Sequence, residues 1–208
     1  MSKFEDISPN RFGTSLSLAA DYLRQGKIVA FPTETYYGLG VDPGNDGALA
    51  RLFSLKQRQA DKPLLLLIKN RNQLDSLVSH VPSQYPELMD RYWPGPLTLI
   101  FPAHQSLNSK LTANTNTVGI RISPHPVASS LVQHVGMPIT ATSCNISGYS
   151  PAKSAEEVLR IFGEGVDYIL DGGVTEAGFS STIMTISEGR LSLIRAGKIC
   201  VAEKYFQR

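Results

Sequence analysis

The chain has 208 residues, of which 42% are hydrophobic and 18% charged, and this composition is typical of a globular protein rather than a disordered one. Its formal charge of +2 neither predicts nor opposes nucleic-acid binding, and its two cysteines exclude a disulfide framework and a dedicated zinc site. No apolar run reaches the roughly 20 residues that span a bilayer, and the N-terminus lacks the apolar segment of a signal peptide. We therefore expect a cytoplasmic, single-domain protein without a membrane partner.

The first third of the chain alternates helices with strands. In chain order, the patterns predict a helix over 14–25, a strand over 28–31, a loop over 32–40, a helix over 46–56 and a strand over 64–68. Gly26 ends the first helix, and Asp46 is expected to cap the second. The second helix places Lys56 at its C-terminal end.

The rest of the chain begins with helices and ends with strands. In order, we predict helices over 73–78 and 86–92, a strand over 97–101, a surface loop over 104–117, a strand over 118–122, a helix over 127–134, a strand over 138–142, a helix ending near 162, and strands over 167–170, 181–186 and 191–194. Ser154 and Glu157 form a capping box for the last helix. The two final strands flank Glu188–Gly189 and predict a hairpin. This order favours a mixed α/β (α+β) sheet with an antiparallel portion.

A basic cluster lies where the second helix gives way to a strand. Residues 51–71 contain one acid, Asp61, and six basic side chains: Arg51, Lys56, Arg58, Lys62, Lys69 and Arg71. Loops at strand ends are where α/β proteins place ligands, so the excess charge predicts an anion site. A solvated basic face is the alternative interpretation.

Three patterns with known chemistry are incomplete. Residues 38–44 hold three glycines between a strand and a helix, but the third is one residue late for a dinucleotide fingerprint. No glycine-rich loop ends in Lys-Ser or Lys-Thr, which excludes a P-loop. Cys144 could act as a nucleophile with His125 or His134, yet a lone cysteine in an apolar-flanked loop is usually structural.

Polar side chains gather instead at the ends of three predicted strands. They are Thr33 and Thr35, the basic group Lys56, Arg58 and Lys62, and Ser143 with Asn145. Each group alone is also explained by turn or cap chemistry. Together, because the cations can donate charge-assisted hydrogen bonds, they predict a nucleotide that is bound without a P-loop.

Several segments together resemble the YrdC/Sua5/TsaC family, in its order and at its separations, from about residue 19 to 199. The segments are Pro32-Thr33-Glu34-Thr35-Tyr36-Tyr37-Gly38-Leu39-Gly40, Lys56-Gln57-Arg58, Lys62-Pro63-Leu64, Trp93-Pro94-Gly95-Pro96, Ser143-Cys144-Asn145, Asp171-Gly172-Gly173, Ser181-Thr182 and Arg195-Ala196-Gly197. The resemblance implies one YrdC-like domain over 1–208, with a core over about 15–200 and no C-terminal Sua5 extension. It also implies a twisted mixed sheet, flanked by helices, with a large positively charged concave face.

The activity that this resemblance implies is an L-threonylcarbamoyladenylate synthase. Such an enzyme forms threonylcarbamoyl-AMP and pyrophosphate from L-threonine, bicarbonate or CO2, and ATP, for the t6A modification of tRNA. Mg2+ is expected to arrive with the ATP phosphates rather than at a metal site of the protein. Other proteins of the t6A pathway, and tRNA or double-stranded RNA, are further partners that the family implies.

The family also implies a role for individual residues. Lys56 and Arg58 would be catalytic. The residues that would bind ATP are Lys56, Arg58, Lys62, Thr117, Ser143, Asn145 and Arg195. The residues that would hold threonine are Thr33, Thr35, Arg121 and Ser181. Since the nucleophile is a carbamate, which is already anionic, attack on the α-phosphorus needs alignment and charge neutralisation more than a general base.

Two other functions stay open at this point. A basic concave face could bind RNA, although aromatic stacking platforms typical of single-strand readers are not evident. A carbamoyl-transfer domain, of the kind fused in hydrogenase-maturation proteins, is the other, although the zinc-finger and acylphosphatase-like segments are missing. A related subgroup, typified by YciO, lacks the intact Lys-x-Arg and Ser-x-Asn pairs; both pairs are present here, which favours the synthase.

Overall fold

A computed structural model describes residues 11–59 and 61–206. The α-helices are α1 (Leu16–Arg24), α2 (Asp46–Lys56), α3 (Tyr85–Tyr92), α4 (Ser109–Thr112), α5 (Pro126–Val135) and α6 (Ala155–Phe162). The strands are β1 (Phe12–Gly13), β2 (Val29–Phe31), β3 (Gly38–Gly40), β4 (Leu65–Leu67), β5 (Leu97–Pro102), β6 (Thr117–Arg121), β7 (Ile139–Thr140), β8 (Thr142–Ser143), β9 (Tyr168–Leu170), β10 (Thr182–Ser187) and β11 (Arg190–Arg195). Short 3-10 helices cover Arg71–Ser76, Gly163–Gly165 and Glu203–Tyr205.

The strands form two sheets, and each sheet mixes parallel with antiparallel neighbours. The first has the order β1-β9-β2-β3-β8, and the second has the order β11-β10-β5-β6-β4-β7. In the first sheet β9 runs parallel to β1 and β2, whereas β3 is antiparallel to both of its neighbours. In the second, β10 and β11 form the antiparallel hairpin predicted around Glu188–Gly189. The predicted mixed α/β fold is confirmed, with its strands divided between two sheets.

One predicted strand passes from one sheet to the other. Residues 138–142 were expected to form a single strand, but β7 pairs with β4 in the second sheet and β8 pairs with β3 in the first. The backbone explains the division, because the N–H of Thr140 donates to Val41 O at 3.0 Å and the N–H of Ala141 donates to Leu65 O at 2.8 Å. Of these two consecutive amides, one bonds to the residue that follows β3 and the other bonds to β4. The two sheets therefore meet at Ala141.

Polar side chains cap the starts of α2 and α6, and both starts differ in detail from the sequence prediction. The prediction that Asp46 caps α2 is wrong by one residue. The cap is Asn45, which has an extended backbone and whose side chain accepts a hydrogen bond from Ala48 N at 2.9 Å. Ser154 caps α6 as predicted, accepting from Glu157 N at 3.3 Å. The Glu157 carboxylate, however, accepts from Lys153 N at 2.8 Å rather than from the cap residue itself, so the capping box is only half formed.

The predicted surface loop over 104–117 is more structured than expected. It contains the one-turn helix α4, which Asn108 caps by accepting from Lys110 N at 2.9 Å, and it ends at the start of β6. The predicted helix over 73–78 is a 3-10 helix that begins two residues earlier, at Arg71. Among the described residues, no helix has both the length and the apolar character that crossing a membrane requires.

The glycines at 38 and 40 are strand residues rather than parts of a phosphate-binding loop. Both belong to β3, which pairs with β2 on one side and β8 on the other. A Cβ on Gly40 would lie 2.8 Å from Phe31 Cε1 and 3.1 Å from Thr140 O. This strand therefore needs glycine for close packing between its neighbours, which explains the pattern without a cofactor.

Candidate active site

An open pocket with an empty volume of about 720 Å3 lies where the two sheets meet. Strand ends from both sheets contribute to its wall, including β3 and β8 from the first and β4, β6, β10 and β11 from the second. Its lining residues are Thr33, Thr35, Tyr36, Tyr37, Gly38, Arg58, Pro63, Leu65, Arg121, Ala141, Thr142, Ser143, Ser180, Ser181, Ile183 and Arg195. Seven of these residues were named from the sequence, so distant segments of the chain do converge on one site.

The buried hydroxyls of Thr33 and Thr35 form one polar end of the pocket. Thr33 Oγ1 donates to Tyr36 O at 2.7 Å, accepts from Thr35 N at 3.2 Å and lies 3.0 Å from Thr35 Oγ1. Because the single hydroxyl proton of Thr33 is engaged with Tyr36 O, Thr35 is the donor in the hydroxyl pair. Thr35 Oγ1 therefore keeps a lone pair with which to accept a hydrogen bond from a ligand.

Arg121, at the end of β6, forms a buried ion pair with Glu34. Arg121 Nη1 lies 2.9 Å from Glu34 Oε1, and the two side chains are only 7% and 9% exposed. No N–H points well at Glu34 Oε1, which receives no hydrogen bond from the described residues, so the contact is mainly electrostatic. Ser123 Oγ donates to the other carboxylate oxygen, Oε2. The sequence analysis assigned no role to Glu34. Its position between two predicted threonine-binding residues, Thr33 and Thr35, was the signal that could have identified it as a site residue.

Arg58 and Arg195 are held by neutral oxygen atoms instead. Arg58 donates from Nε to Lys62 O at 3.1 Å and from Nη2 to Pro63 O at 2.7 Å. Arg195 donates from Nε and Nη2 to Ser181 O at 3.1 and 2.8 Å, and from Nη2 to Ser181 Oγ at 3.0 Å. Burial lowers the pKa of both guanidinium groups, and neighbouring Arg121 lowers the pKa of Arg195 further. Both remain charged and face the pocket with unused N–H groups.

Lys56 does not line the pocket but lies behind its wall. The side chain is 1% exposed, and its Nζ donates to Ser143 O, to Asn145 O at 2.7 Å and to Asn145 Oδ1 at 3.3 Å. The Lys56 carbonyl also accepts from Ser147 N at 2.9 Å. Burial lowers the pKa of Lys56 to about 8. In this arrangement the lysine fixes the segment over 143–147.

The remaining predicted residues occupy three different places. Ser143 is exposed to the pocket and donates from Oγ to Asn145 Oδ1 at 2.7 Å, while Asn145 Nδ2 donates to Tyr149 O at 2.7 Å. Lys62, a member of the basic cluster, is exposed and does not line the pocket. Thr117 lies at the end of β6 opposite to Arg121, where its Oγ1 is 2.8 Å from Thr115 Oγ1. The residues that line the pocket therefore do not include Asn145, Lys62 or Thr117.

A loop that sequence reasoning passed over closes one side of the pocket. Ala177 N donates to Thr35 O at 3.1 Å, and Gly178 N donates to the Tyr36 hydroxyl at 3.1 Å. Lys198 joins the same contact, because its Nζ donates to Glu34 O at 3.1 Å and forms an ion pair with Glu176. The bonds from the two backbone amides hold the threonine-containing segment against the loop over 175–180, whereas the Glu176 side chain in the ion pair is 80% exposed.

Thiol and protein-held metal chemistry find no support in this arrangement. Cys144 is fully buried, and burial raises the pKa of its thiol well above the usual range. Between residues 11 and 206, leaving out residue 60, no group of three or more His, Cys, Asp or Glu side chains is placed to hold a metal ion. The polar side chains among the residues that line the pocket are guanidinium groups and hydroxyls.

Known proteins share both the sequence and the fold. Residues 21–197 match the model of the Sua5/YciO/YrdC family, which is described as telomere recombination. The chain is 38% identical over 188 residues to a threonylcarbamoyl-AMP synthase of Pyrococcus abyssi, covering 90% of this chain and 55% of that one. It is also 38% identical over 170 residues to the enzyme of that name from Thiobacillus denitrificans, covering 82% of this chain and 90% of the relative.

Two solved structures superpose closely on this chain. The P. abyssi Sua5 structure in complex with L-threonine superposes with a TM-score of 0.85 at 37% identity, over 90% of this chain and 57% of that one. E. coli YciO shares the fold, with a TM-score of 0.80 at 22% identity over 90% of this chain and 93% of its own. The chain spans only 55–56% of the length of the curated P. abyssi and Bacillus subtilis relatives. The family match over most of the chain leads to one conclusion: this chain belongs to the Sua5/YciO/YrdC family.

Proposed function

We propose that this chain is a threonylcarbamoyl-AMP synthase, a nucleotidyltransferase that acts on L-threonine, bicarbonate or CO2, and ATP. The observation that carries the proposal is the convergence of the Thr33–Thr35 hydroxyl pair with three arginines in one pocket. A relative with the same fold and 37% identity has been crystallised with L-threonine. The pocket would thus provide one subsite for an amino acid and one for a polyanion.

Threonine would bind at the end of the pocket formed by β6 and the loop over 33–36. The planar guanidinium of Arg121 suits a carboxylate, because its N–H groups match both carboxylate oxygens. Thr35 Oγ1, which keeps a free lone pair, would accept a hydrogen bond from the hydroxyl or the amine of the substrate. Ser181, held by Arg195 and lying 3.0 Å from Thr98 Oγ1, would close this subsite.

ATP would occupy the side of the pocket that carries Arg58, Arg195 and Ser143. The two guanidinium groups have N–H donors left for phosphate oxygens, and the Ser143 hydroxyl can still accept a hydrogen bond. Lys56 would act through the segment that it fixes, which carries Ser143 and Asn145. Mg2+ would be held through the phosphate oxygens of ATP, where it would neutralise part of their charge.

The reaction would proceed by direct displacement at the α-phosphorus. The neutral amine of threonine adds CO2 and loses a proton to solvent, which gives an anionic carbamate. A carbamate oxygen then bonds to the α-phosphorus, and the bond from the α-phosphorus to the bridging oxygen of the β-phosphate breaks with release of pyrophosphate. Arginines positioned along the phosphates would stabilise the charge that develops on the leaving group. The product would serve the t6A modification of tRNA in the cytoplasm, with tRNA and other proteins of that pathway as partners.

Pyrophosphate release tests this proposal. Purified protein with ATP and Mg2+ is assayed with threonine and bicarbonate present, and then with each left out in turn. Release that requires both substrates is the expected result. Release that needs neither would indicate a different ATP-cleaving activity, and no release under any condition would remove the synthase proposal.

A further inference from the structure

Three arginines line the pocket, but their charges are not equally available. Arg58 and Arg195 hydrogen-bond to carbonyl and hydroxyl oxygen atoms, and neither belongs to an ion pair among the described residues. Asp61 acts on Arg58 electrostatically, but Asp61 is exposed, so water screens its charge. Arg121 instead faces the carboxylate of Glu34 at 2.9 Å. The pocket therefore has two cations outside any buried ion pair, Arg58 and Arg195, and one cation, Arg121, that is compensated within a buried ion pair.

Glu34 is held in place through both its side chain and its main chain. Ser123 Oγ donates to Oε2, and Lys198 Nζ donates to the main-chain oxygen of Glu34 at 3.1 Å. With the Glu34 and Arg121 side chains 9% and 7% exposed, water and salt screen their interaction only weakly. Among the described ion pairs, this is the one in which both side chains are more than nine-tenths buried. Glu34 consequently offsets most of the charge that Arg121 would present to a ligand.

This difference separates two kinds of anion. Pyrophosphate and the triphosphate of ATP carry several negative charges and favour cations without a counter-charge. An amino acid is a zwitterion, so its carboxylate can use the N–H fork of Arg121 without requiring a net positive subsite. We propose that Glu34 is a specificity-determining residue, whose carboxylate reserves the Arg121 subsite for the carboxylate of an α-amino acid and keeps phosphate groups out. This inference rests on the proposed function, because it presumes that an amino acid and a polyphosphate share the pocket.

Two variants separate the charge of Glu34 from its bracing of Arg121. Glu34→Gln keeps the size and can still bond to Ser123, but it removes the negative charge. Glu34→Asp keeps the charge on a shorter side chain. Glu176→Gln is a matched control, because it removes a carboxylate from the loop bonded to the same segment, at a position where that side chain is 80% exposed. Screening by water should make the control behave like the wild type.

The experiment is calorimetric titration of the wild type and the three variants with L-threonine, in the absence and in the presence of saturating pyrophosphate. In the wild type, in Glu34→Asp and in Glu176→Gln, pyrophosphate should leave the threonine Kd unchanged. In Glu34→Gln, pyrophosphate should enter the Arg121 subsite and raise the apparent threonine Kd about tenfold or more, because an uncompensated buried cation attracts a polyanion strongly. A separate titration with pyrophosphate alone should show tighter binding to Glu34→Gln.

Each result supports or overturns the inference. Threonine binding to Glu34→Gln that stays insensitive to pyrophosphate would overturn it. A Glu34→Gln protein that keeps its circular dichroism spectrum but loses threonine binding, without any gain in pyrophosphate affinity, would show that Glu34 only braces Arg121 and would also overturn it. A wild type that binds no threonine would refute the proposed function itself, which distinguishes the two failures.

Discussion

Replacement of Lys56 by methionine tests the unexpected position of this lysine most sharply. Its buried ammonium donates to Ser143 O, Asn145 O and Asn145 Oδ1, and methionine fills a similar volume without donors. Hydrogen bonds from a charged donor contribute about 1.5–3 kcal/mol each, and a buried carbonyl left without a partner costs about 1–3 kcal/mol. Against this, burial of the charge costs about 3 kcal/mol, since it lowers the pKa from 10.5 to about 8. We expect Lys56→Met to lower the free energy of unfolding by about 2–4 kcal/mol at pH 7.

The pKa of Lys56 also predicts how this difference changes with pH. Because the pKa is lower in the folded protein than in the unfolded chain, both states hold the proton below pH 8, and the cost of burying the charge is fully present. Between pH 8 and 10.5 the unfolded chain binds more protons, so the stability conferred by Lys56 rises with pH. The stability of the wild type relative to Lys56→Met should thus increase by about 2 kcal/mol between pH 8 and pH 10.

Urea unfolding of both proteins at several pH values, followed by the fluorescence of Trp93, measures these quantities. Lys153→Met is the matched control, because Lys153 is exposed and its stability difference from the wild type should be small at every pH. ATP affinity should fall in Lys56→Met as well, since the segment that carries Ser143 loses its anchor. Equal stability of wild type and Lys56→Met at pH 7, with no change in their difference up to pH 10, would refute the structural role of Lys56.

Three further variants test other parts of the account. Arg58→Ala should reduce ATP-dependent pyrophosphate release by about 100-fold or more, measured with threonine and bicarbonate saturating, and full retention of activity would exclude a role for this guanidinium in catalysis. Gly40→Ala places a Cβ 2.8 Å from Phe31 Cε1 and should cost about 1–3 kcal/mol in urea unfolding, so an unchanged stability would contradict the close packing of β3. Ser154→Ala removes the cap of α6 and should cost about 1 kcal/mol without changing activity; a loss of activity at unchanged stability would contradict this purely structural role.

Most of the fold follows from local patterns in the sequence. The helix over 14–25 is observed as Leu16–Arg24, and the hairpin around Glu188–Gly189 is observed between β10 and β11. Both depend on signals within a few residues, namely helical spacing of apolar side chains and a two-residue turn. The change of sheet at Ala141 has no such signal, because it depends on which distant carbonyl each backbone amide meets.

Some features of the site could likewise be predicted from the sequence, whereas others depend on contacts between distant parts of the chain. Residue type and position near predicted strand ends indicated that Thr35, Arg58 and Ser143 act together, and all three line the pocket where the two sheets meet. The direction of the Lys56 side chain was not predictable, since it depends on where the carbonyls of residues 143–145 lie in space. Glu34 was missed for a similar reason: its partner Arg121 is 87 residues away in the chain, and only the folded structure shows that their charges meet.

The most direct test of the proposed function is to identify the product itself. The protein is incubated with ATP, Mg2+, L-threonine and bicarbonate labelled with carbon-13, and the nucleotides are separated and weighed by mass spectrometry. Our account predicts an adenylate whose mass corresponds to threonylcarbamoyl-AMP and which carries one labelled carbon, together with an equal amount of pyrophosphate. Release of pyrophosphate without a labelled adenylate would contradict the assignment of this pocket to threonylcarbamoyl-AMP synthesis.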